Sequence, residues 1–235
     1  MADYRLYAGK PVVIKPKSTN FGLGITILKH NYDETDFKAA LQIAFEHDNT
    51  VLIEKFIPGR EFRIFIINDE VVGILHRVPA NVTGDGVLNI GQLIDMKNED
   101  PLRGKGYRTP LEKIRKGREE EMFLKQQGMD FNTVPKEREV VYLRENSNIS
   151  TGGDSIDFTD DIDDSYKAIA VEAAKALNVK ITGLDMMIQD IHAPATPDNY
   201  AIIEMNFNPA IHIHCYPFKG KNRHLNHKMI KALGF

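Results

Sequence analysis

The run Ile202-Ile203-Glu204-Met205-Asn206-Phe207-Asn208-Pro209, with Gly183-Leu184-Asp185 upstream, carries the strongest chemical signal in the chain. Apolar runs at 179–188 and 200–205 flank a connection containing Pro and Asp. That is the pattern of two antiparallel strands joined by a hairpin loop. Alternate side chains of a strand share a face. Glu204 and Asn206 therefore point the same way, and Asp185 can meet them from the neighbouring strand. Two carboxylates and an amide oxygen are hard ligands, suited to Mg²⁺ that also holds a substrate phosphate. Taken alone, the same residues also read as a solvated polar sheet face.

Two further groups could do chemistry. Lys15 closes a short apolar strand and is followed by Ser18-Thr19-Asn20-Phe21-Gly22-Leu23-Gly24. One cation and several backbone N–H groups there could face phosphates. The Walker A order is absent, and a plain glycine hairpin has the same signature. In the stretch from Val51 to Arg63, a strand bends at Pro58-Gly59 before the next begins. The bend frees backbone groups that could read an adenine edge, with Glu61 placed to accept ribose hydroxyls. The competing reading is a loop with a surface Glu61–Arg63 charge pattern, worth little energetically.

These residues need elements to hold them. The chain has 235 residues, 42% hydrophobic, with 30 Lys and Arg against 33 Asp and Glu. That fits one large domain or two small lobes. A net charge of -3 gives no reason to expect nucleic acid or an anionic membrane as partner. No apolar run has the length of a membrane span. Cys215 is the single cysteine, so no intrachain disulfide forms and a cytoplasmic location is expected. Strands are predicted at 11–15, 25–28, 51–53, 62–67, 71–75 and 140–143. Helices are predicted at 33–47 (apolar Phe37, Leu41, Ala44 and Phe45) and along Ile162, Tyr166, Ile169, Ala170, Ala173 and Leu177. The charged stretch 108–127 reads as a solvated helix broken at Gly117 or starting near it, and 79–107 as polar and turn-rich with one short amphipathic piece at 90–96. Strands and helices intermingle without a strict βαβ rhythm, which predicts a mostly antiparallel α+β fold.

The order of Pro-Val-Val-Ile-Lys-Pro, the glycine loop, Glu-Lys-Phe-Ile-Pro-Gly-Arg-Glu, Gly-Leu-Asp and Glu-Met-Asn-Phe-Asn-Pro resembles that of ATP-grasp ligases such as D-alanine–D-alanine ligase. The longer strings Arg-Val-Pro-Ala-Asn-Val-Thr-Gly-Asp-Gly, Asp-Pro-Leu-Arg-Gly-Lys-Gly-Tyr-Arg-Thr-Pro and Arg-Glu-Asn-Ser-Asn-Ile-Ser-Thr-Gly-Gly-Asp-Ser-Ile-Asp are similar to the glutathione synthetase part of the bifunctional glutathione biosynthesis family. Cyanophycin synthetases share parts of the pattern.

The resemblance implies an ATP-grasp fold: antiparallel sheets in two lobes with ATP between them, here a nucleotide-binding lobe over 10–78 and a catalytic and metal lobe over 79–235. It implies ATP and Mg²⁺ (or Mn²⁺) as cofactors. Lys15, Lys17, Gly22 and Gly24 would face the phosphates; Glu54, Lys55, Phe56 and Ile57 the adenine; Glu61 the ribose. Asp185, Glu204 and Asn206 would hold metal, and Arg144 and Lys15 would act on the transferred phosphate. Arg77, Asn148, His212 and His214 would face substrate, with Arg108, Lys219, Lys221 and Arg223 as further cations. The activity implied is an amide ligase joining γ-glutamylcysteine to glycine through an acyl phosphate, with a non-catalytic nucleotide-binding module or a cyanophycin synthetase-like ligase as alternatives. An association with a glutamate–cysteine ligase domain is implied as well. The pattern begins later than in the family, without its N-terminal subdomain, so slow turnover by the chain alone is expected. His212-Ile213-His214-Cys215 could be a zinc site, but a substrate-side loop is the simpler reading, with both histidines on one face if extended.

Overall fold

Alternation along β1 (Val12–Pro16) sorts its residues into two sets. Val12 and Ile14 face a helix; Val13 and Lys15 face away. The computed structural model describes residues 3–19, 23–29 and 31–235. They form two compact units, Met1–Pro58 and Gly59–Phe235.

In the first unit β1 lies between β2 (Thr26–Leu28) and β3 (Val51–Lys55), both antiparallel to it. Helix α1 (Glu34–Phe45) covers one side. Its start is a capping box: Asp33 accepts the Thr35 and Asp36 N–H groups and the Asp36 side chain accepts that of Asp33. Phe37, Ala40, Leu41 and Ala44 bury against Val12 and Ile14. Phe45, expected on the same stripe, lies at its rim and is 50% exposed.

The second unit follows as β4 (Arg60–Ile67), β5 (Glu70–Val78), β6 (Asn81–Thr83), α2 (Ile90–Lys97), β7 (Arg103–Gly104), β8 (Leu111–Glu112), α3 (Arg118–Gln126), β9 (Val140–Tyr142), β10 (Asp154–Asp157), α4 (Asp164–Ala176), β11 (Ile181–Ile188), β12 (Tyr200–Asn206), α5 (His212–Cys215) and α6 (Leu225–Ala232). Its main sheet is antiparallel, in the order β10-β5-β4-β11-β12. Strands β4 and β5, which the sequence reading groups with the nucleotide-binding lobe, pair here with β10 and β11. One face packs Phe62, Ile64, Ile66, Ile74, Leu184, Met186 and Ile188 against Tyr166, Ala170 and Ala174 of α4. Leu177, past the end of α4, is 60% exposed. On the opposite face Phe65, Ile67 and Val72 pack beneath Cys215 and Leu225, and the rest of that face carries charge.

A smaller layer, built on Val82, Ile90, Leu93, Ile94, Leu124 and Val141, stands beside the sheet. The charged stretch becomes helical only from Arg118, with Gly117 as its N-cap. This is the helix start near Gly117 that the sequence allows; upstream, Leu111 is fully buried and pairs in parallel with Arg103. The layer is tied to β10 by Arg103, whose side chain is fully buried. It bonds the carbonyls of Glu112 and Gly152 at 2.9 and 3.0 Å and pairs with Asp154. Lys97 reaches the same carboxylate at 2.7 Å and the Asn81 carbonyl at 2.9 Å. No helix of the described residues is long and apolar enough to cross a membrane.

Candidate functional site

The charged face of the main sheet follows from register. Arg63 on β4 lies directly opposite Asp185 on β11, and Asp185 opposite Glu204 on β12. Gly183 faces Asn206. Strand β12 carries one extra residue, Ile203, between the Asp185–Glu204 and Met186–Ile202 pairs, a bulge beside the site. The three residues expected to hold metal are thus brought together on one face. The Asn206 amide nitrogen donates to Glu204 Oε1 at 3.0 Å, which leaves the amide oxygen as an acceptor.

Asp185 is 3% exposed and held by two arginines. Arg63 grips it with both prongs, Nε to Oδ1 and Nη2 to Oδ2 at 2.8 Å. Arg77 on β5 reaches across β4 to Oδ2 at 3.1 Å. The same Arg77 guanidinium pairs with Glu61, whose other oxygen accepts the Ser147 hydroxyl at 2.8 Å. Ser147, Glu61, Arg77, Asp185 and Arg63 therefore form one continuous chain of contacts.

The clustered acids would be expected to repel and raise a carboxylate pKa. For Asp185 the reverse holds. Burial pushes its carboxyl up, but the Arg63 hydrogen bonds and the charges of Arg77 and Arg63 outweigh burial and leave it below its ordinary value. Gly183 makes the geometry possible. A side chain there would start 2.8 Å from Pro209 Cβ and 3.0 Å from Arg63 Cδ, so the Gly-Leu-Asp glycine leaves room for the arginine that holds the aspartate.

The donor set fits a hard cation. Among the described residues no cluster of three or more His, Cys, Asp or Glu side chains is spaced to hold a metal. A cation here would rest on two carboxylates, one amide oxygen and ligand oxygens, the mixed set that Mg²⁺ favours. The same observation leaves the zinc reading of His212 to Cys215 without support.

In the first unit Lys15 Nζ meets Glu54 Oε2 at 2.7 Å, so these two expected site residues share the face of the sheet opposite α1. Lys17 is exposed, and its N–H bonds the Thr50 carbonyl at 2.9 Å. Gly24 has φ +76, and a Cβ there would approach His47 and Pro16 at 2.7 Å, so the loop needs glycine. Gly22 lies outside the described residues. Lys55 is exposed, Phe56 and Ile57 half-buried. The Phe56 N–H is spent on the Pro11 carbonyl at 3.0 Å, and Lys29 Nζ sits 5.4 Å from its ring centroid.

Other expected residues lie elsewhere in the second unit. Arg144 is held by α3, bonding Glu120 Oε1 at 2.6–2.7 Å and pairing with Glu119. Glu120 is 1% exposed and also accepts the Gly117 N–H, so Arg144 clamps a loop to a helix. Asn148 follows Ser147 and accepts the Thr151 and Gly153 N–H groups through its carbonyl. His212 and His214 sit on a helical turn rather than an extended strand, so their side chains diverge: His212 is exposed and His214 fully buried. Among the described residues neither His214 nitrogen has a hydrogen-bond partner, and the ring packs edge-on to Phe65 at 5.4 Å. Burial, with the Arg63 charge, pushes its pKa down to about 3. Lys221 and Arg223 pair with Asp160, and Arg223 also with Asp157, fastening the C-terminal segment to β10.

Residues 3–92 match the family described as D-ala D-ala ligase C-terminus. The glutathione biosynthesis bifunctional protein GshAB of Desulfotalea psychrophila is 63% identical over all 235 residues, and that of Clostridium perfringens 57% identical over 98% of the chain. The crystal structure of a bifunctional glutathione synthetase from Pasteurella multocida superposes with a TM-score of 0.73, at 48% identity, over 98% of this chain and 32% of that one.

This chain is a homologue of one segment of the bifunctional glutathione biosynthesis proteins.

It spans about 30% of the length of the relatives it matches. Its fold is the α+β ATP-grasp fold. Within this homologue, Arg63 and Ser147 are the site residues that sequence reasoning missed. The signal for Arg63 was present: Glu61 and Arg63 alternate on one strand face, but only the register with β11 shows that Asp185 stands opposite.

Proposed function

We propose that the chain is the ATP-grasp part of a glutathione synthetase, a ligase that joins γ-glutamylcysteine to glycine at the expense of ATP. The observation that carries this reading is the gathering of Glu61, Arg63, Arg77, Asp185, Glu204 and Asn206 on one sheet face, in a chain 63% identical to a glutathione biosynthesis protein. In such a reaction the substrate carboxylate oxygen attacks the γ-phosphorus of ATP and ADP leaves. The glycine amine then attacks the acyl carbon, phosphate departs, and the amine gives up its proton. No protein nucleophile is needed; catalysis is positioning and neutralisation of phosphate charge.

Each side chain has a task matched to its surroundings. Asp185, Glu204 and Asn206 would hold Mg²⁺ or Mn²⁺, which when bound shields phosphate oxygens. Arg63 fixes the plane of the Asp185 carboxylate through two parallel hydrogen bonds. Arg77 offers a fork to substrate carboxylate or phosphoryl oxygen. We assign charge neutralisation to Arg77 rather than Arg144, because Arg77 stands on the sheet face beside Asp185 whereas Arg144 is held away from it by Glu119 and Glu120 of α3. Glu61 would accept ribose hydroxyls, Lys15 would contact phosphate, and Glu54 with the Ile57 backbone would meet adenine. A glutamate–cysteine ligase region is the proposed companion of this segment, and the lone buried thiol of Cys215 suits the cytoplasm.

Two measurements test the reading. Mg-nucleotide should raise the melting temperature of the wild type, and much less that of Lys15→Ala. Mass spectrometry should detect the amide product from γ-glutamylcysteine, glycine and Mg-ATP. If neither this chain nor a longer protein carrying it makes that amide, the proposal is overturned.

A further inference from the structure

Arg77 is tied to both proposed ligand sites of the second unit at once. Its guanidinium pairs with Glu61, the proposed ribose acceptor, and stands 3.1 Å from Oδ2 of Asp185, the proposed cation ligand. The side chain is 13% exposed, and its Nε is buried without a hydrogen-bond partner among the described residues. Arg63 differs: it lies in register opposite Asp185 and spends its fork there bidentately. Arg77 has a second anchor and an unspent donor, so it can exchange partners where Arg63 cannot.

We infer that Arg77 makes cation capture at Asp185 conditional on an anionic co-ligand. The inference rests on the reading of Asp185, Glu204 and Asn206 as a cation site. An arginine keeps its charge at any working pH. A divalent ion on Asp185 would then sit within a few ångström of a fixed positive charge, and repulsion at that range lowers affinity roughly tenfold. A phosphoryl or carboxylate oxygen arriving beside Arg77 pairs with its guanidinium in place of Asp185 and offsets its charge, leaving Arg63 as the one arginine on the carboxylate. Metal without anionic ligand is thereby disfavoured, and the two bind together.

The test is Mn²⁺ binding to the ligand-free chain, read as loss of the free-ion electron paramagnetic resonance signal. Arg77→Met should bind Mn²⁺ about tenfold more tightly than the wild type, and Arg77→Lys, which restores the charge, should return affinity toward the wild-type value. Adding Glu204→Gln to Arg77→Met should abolish the gain and so place the ion at this site. Should Arg77→Met fail to fold, Arg77→Gln keeps hydrogen bonding without charge and gives the same readout. Equal or weaker Mn²⁺ binding in the neutral variants, with Glu204→Gln still lowering it, overturns the gating role alone. Mn²⁺ binding indifferent to Glu204→Gln in every background overturns the cation site, and the gating role falls with it.

Discussion

On β4, Phe62, Ile64 and Ile66 turn toward α4, while Glu61 and Arg63 turn the other way. Both sets are largely shielded from water, yet they hold together by different physics. The apolar side gains from every ångström of surface removed from solvent, and its specificity lies in volume. On the charged side the cost of desolvating each group nearly cancels the attraction between them. Four charged residues in a row are a poor way to stabilise a sheet. The contrast teaches that the second face contributes little net stability, which accords with the ligand chemistry proposed for it, and that its stability is at risk mainly when one partner is removed alone.

The comparison can be broken most forcefully on the apolar side. Phe62→Ala should cost about 3–5 kcal/mol in chemical denaturation, because Phe62 is fully buried against the α4 core. A cost near that of a surface change would mean the apolar face is loosely packed. Acid should come next. The His214 pKa is pushed down to about 3, and that of His76, largely by burial, to about 4. In the unfolded chain both titrate near 6.5. Below that pH the unfolded state takes up protons that the folded state refuses, so stability is present above 6.5 and is lost as pH falls toward the folded values. Each histidine should cost about 2 kcal/mol between pH 6.5 and 5. A flat stability profile across that window would contradict the burial of both rings.

Gly183→Ala should sharpen the link between the faces, costing about 1–3 kcal/mol by crowding Arg63 and Pro209. It should also weaken Mg-dependent nucleotide binding, measured by calorimetry, more than an alanine elsewhere on β11. Arg63→Met alone should cost about 1–3 kcal/mol, since Asp185 loses its fork but keeps Arg77. Smallest of all should be the stability change in Arg63→Met with Asp185→Leu. With both partners apolar, the loss should shrink to within about 1 kcal/mol of wild type, although metal-dependent binding is gone. A double variant as unstable as Arg63→Met alone would show that the charged face contributes stability of its own.

The apolar face was legible in the sequence because alternation and helical spacing are local signals. β4, β11, β12, α1 and α4 follow from them directly. Short elements were not: β10 offers four residues, and α6 lies in a basic, turn-rich tail. At the site, Asp185, Glu204 and Asn206 could be grouped because a hairpin fixes their pairing. Arg63 lies 122 residues from Asp185, and no periodicity specifies that register. Arg144 was placed on the site by its motif, whereas the buried Glu120 that holds it stands 24 residues upstream in a stretch that reads as a solvated helix. Sequence shows which residues can carry charge. Which charges neutralise each other is decided by topology.

The fully buried Arg103 has a consequence for motion. It ties β7 to the carbonyls of Glu112 and Gly152 and to Asp154 on the edge of the main sheet, and Lys97 of α2 ends on the same aspartate. The small layer and the sheet edge share one desolvated charge network, and neither can part from the other without exposing an unpaired ion. In hydrogen exchange the amides of β7, β8 and β10 should therefore open as one cooperative unit rather than as separate flaps. Within the second unit, freedom to move belongs to the exposed turn around Lys105 and Tyr107, not to the layer that carries it.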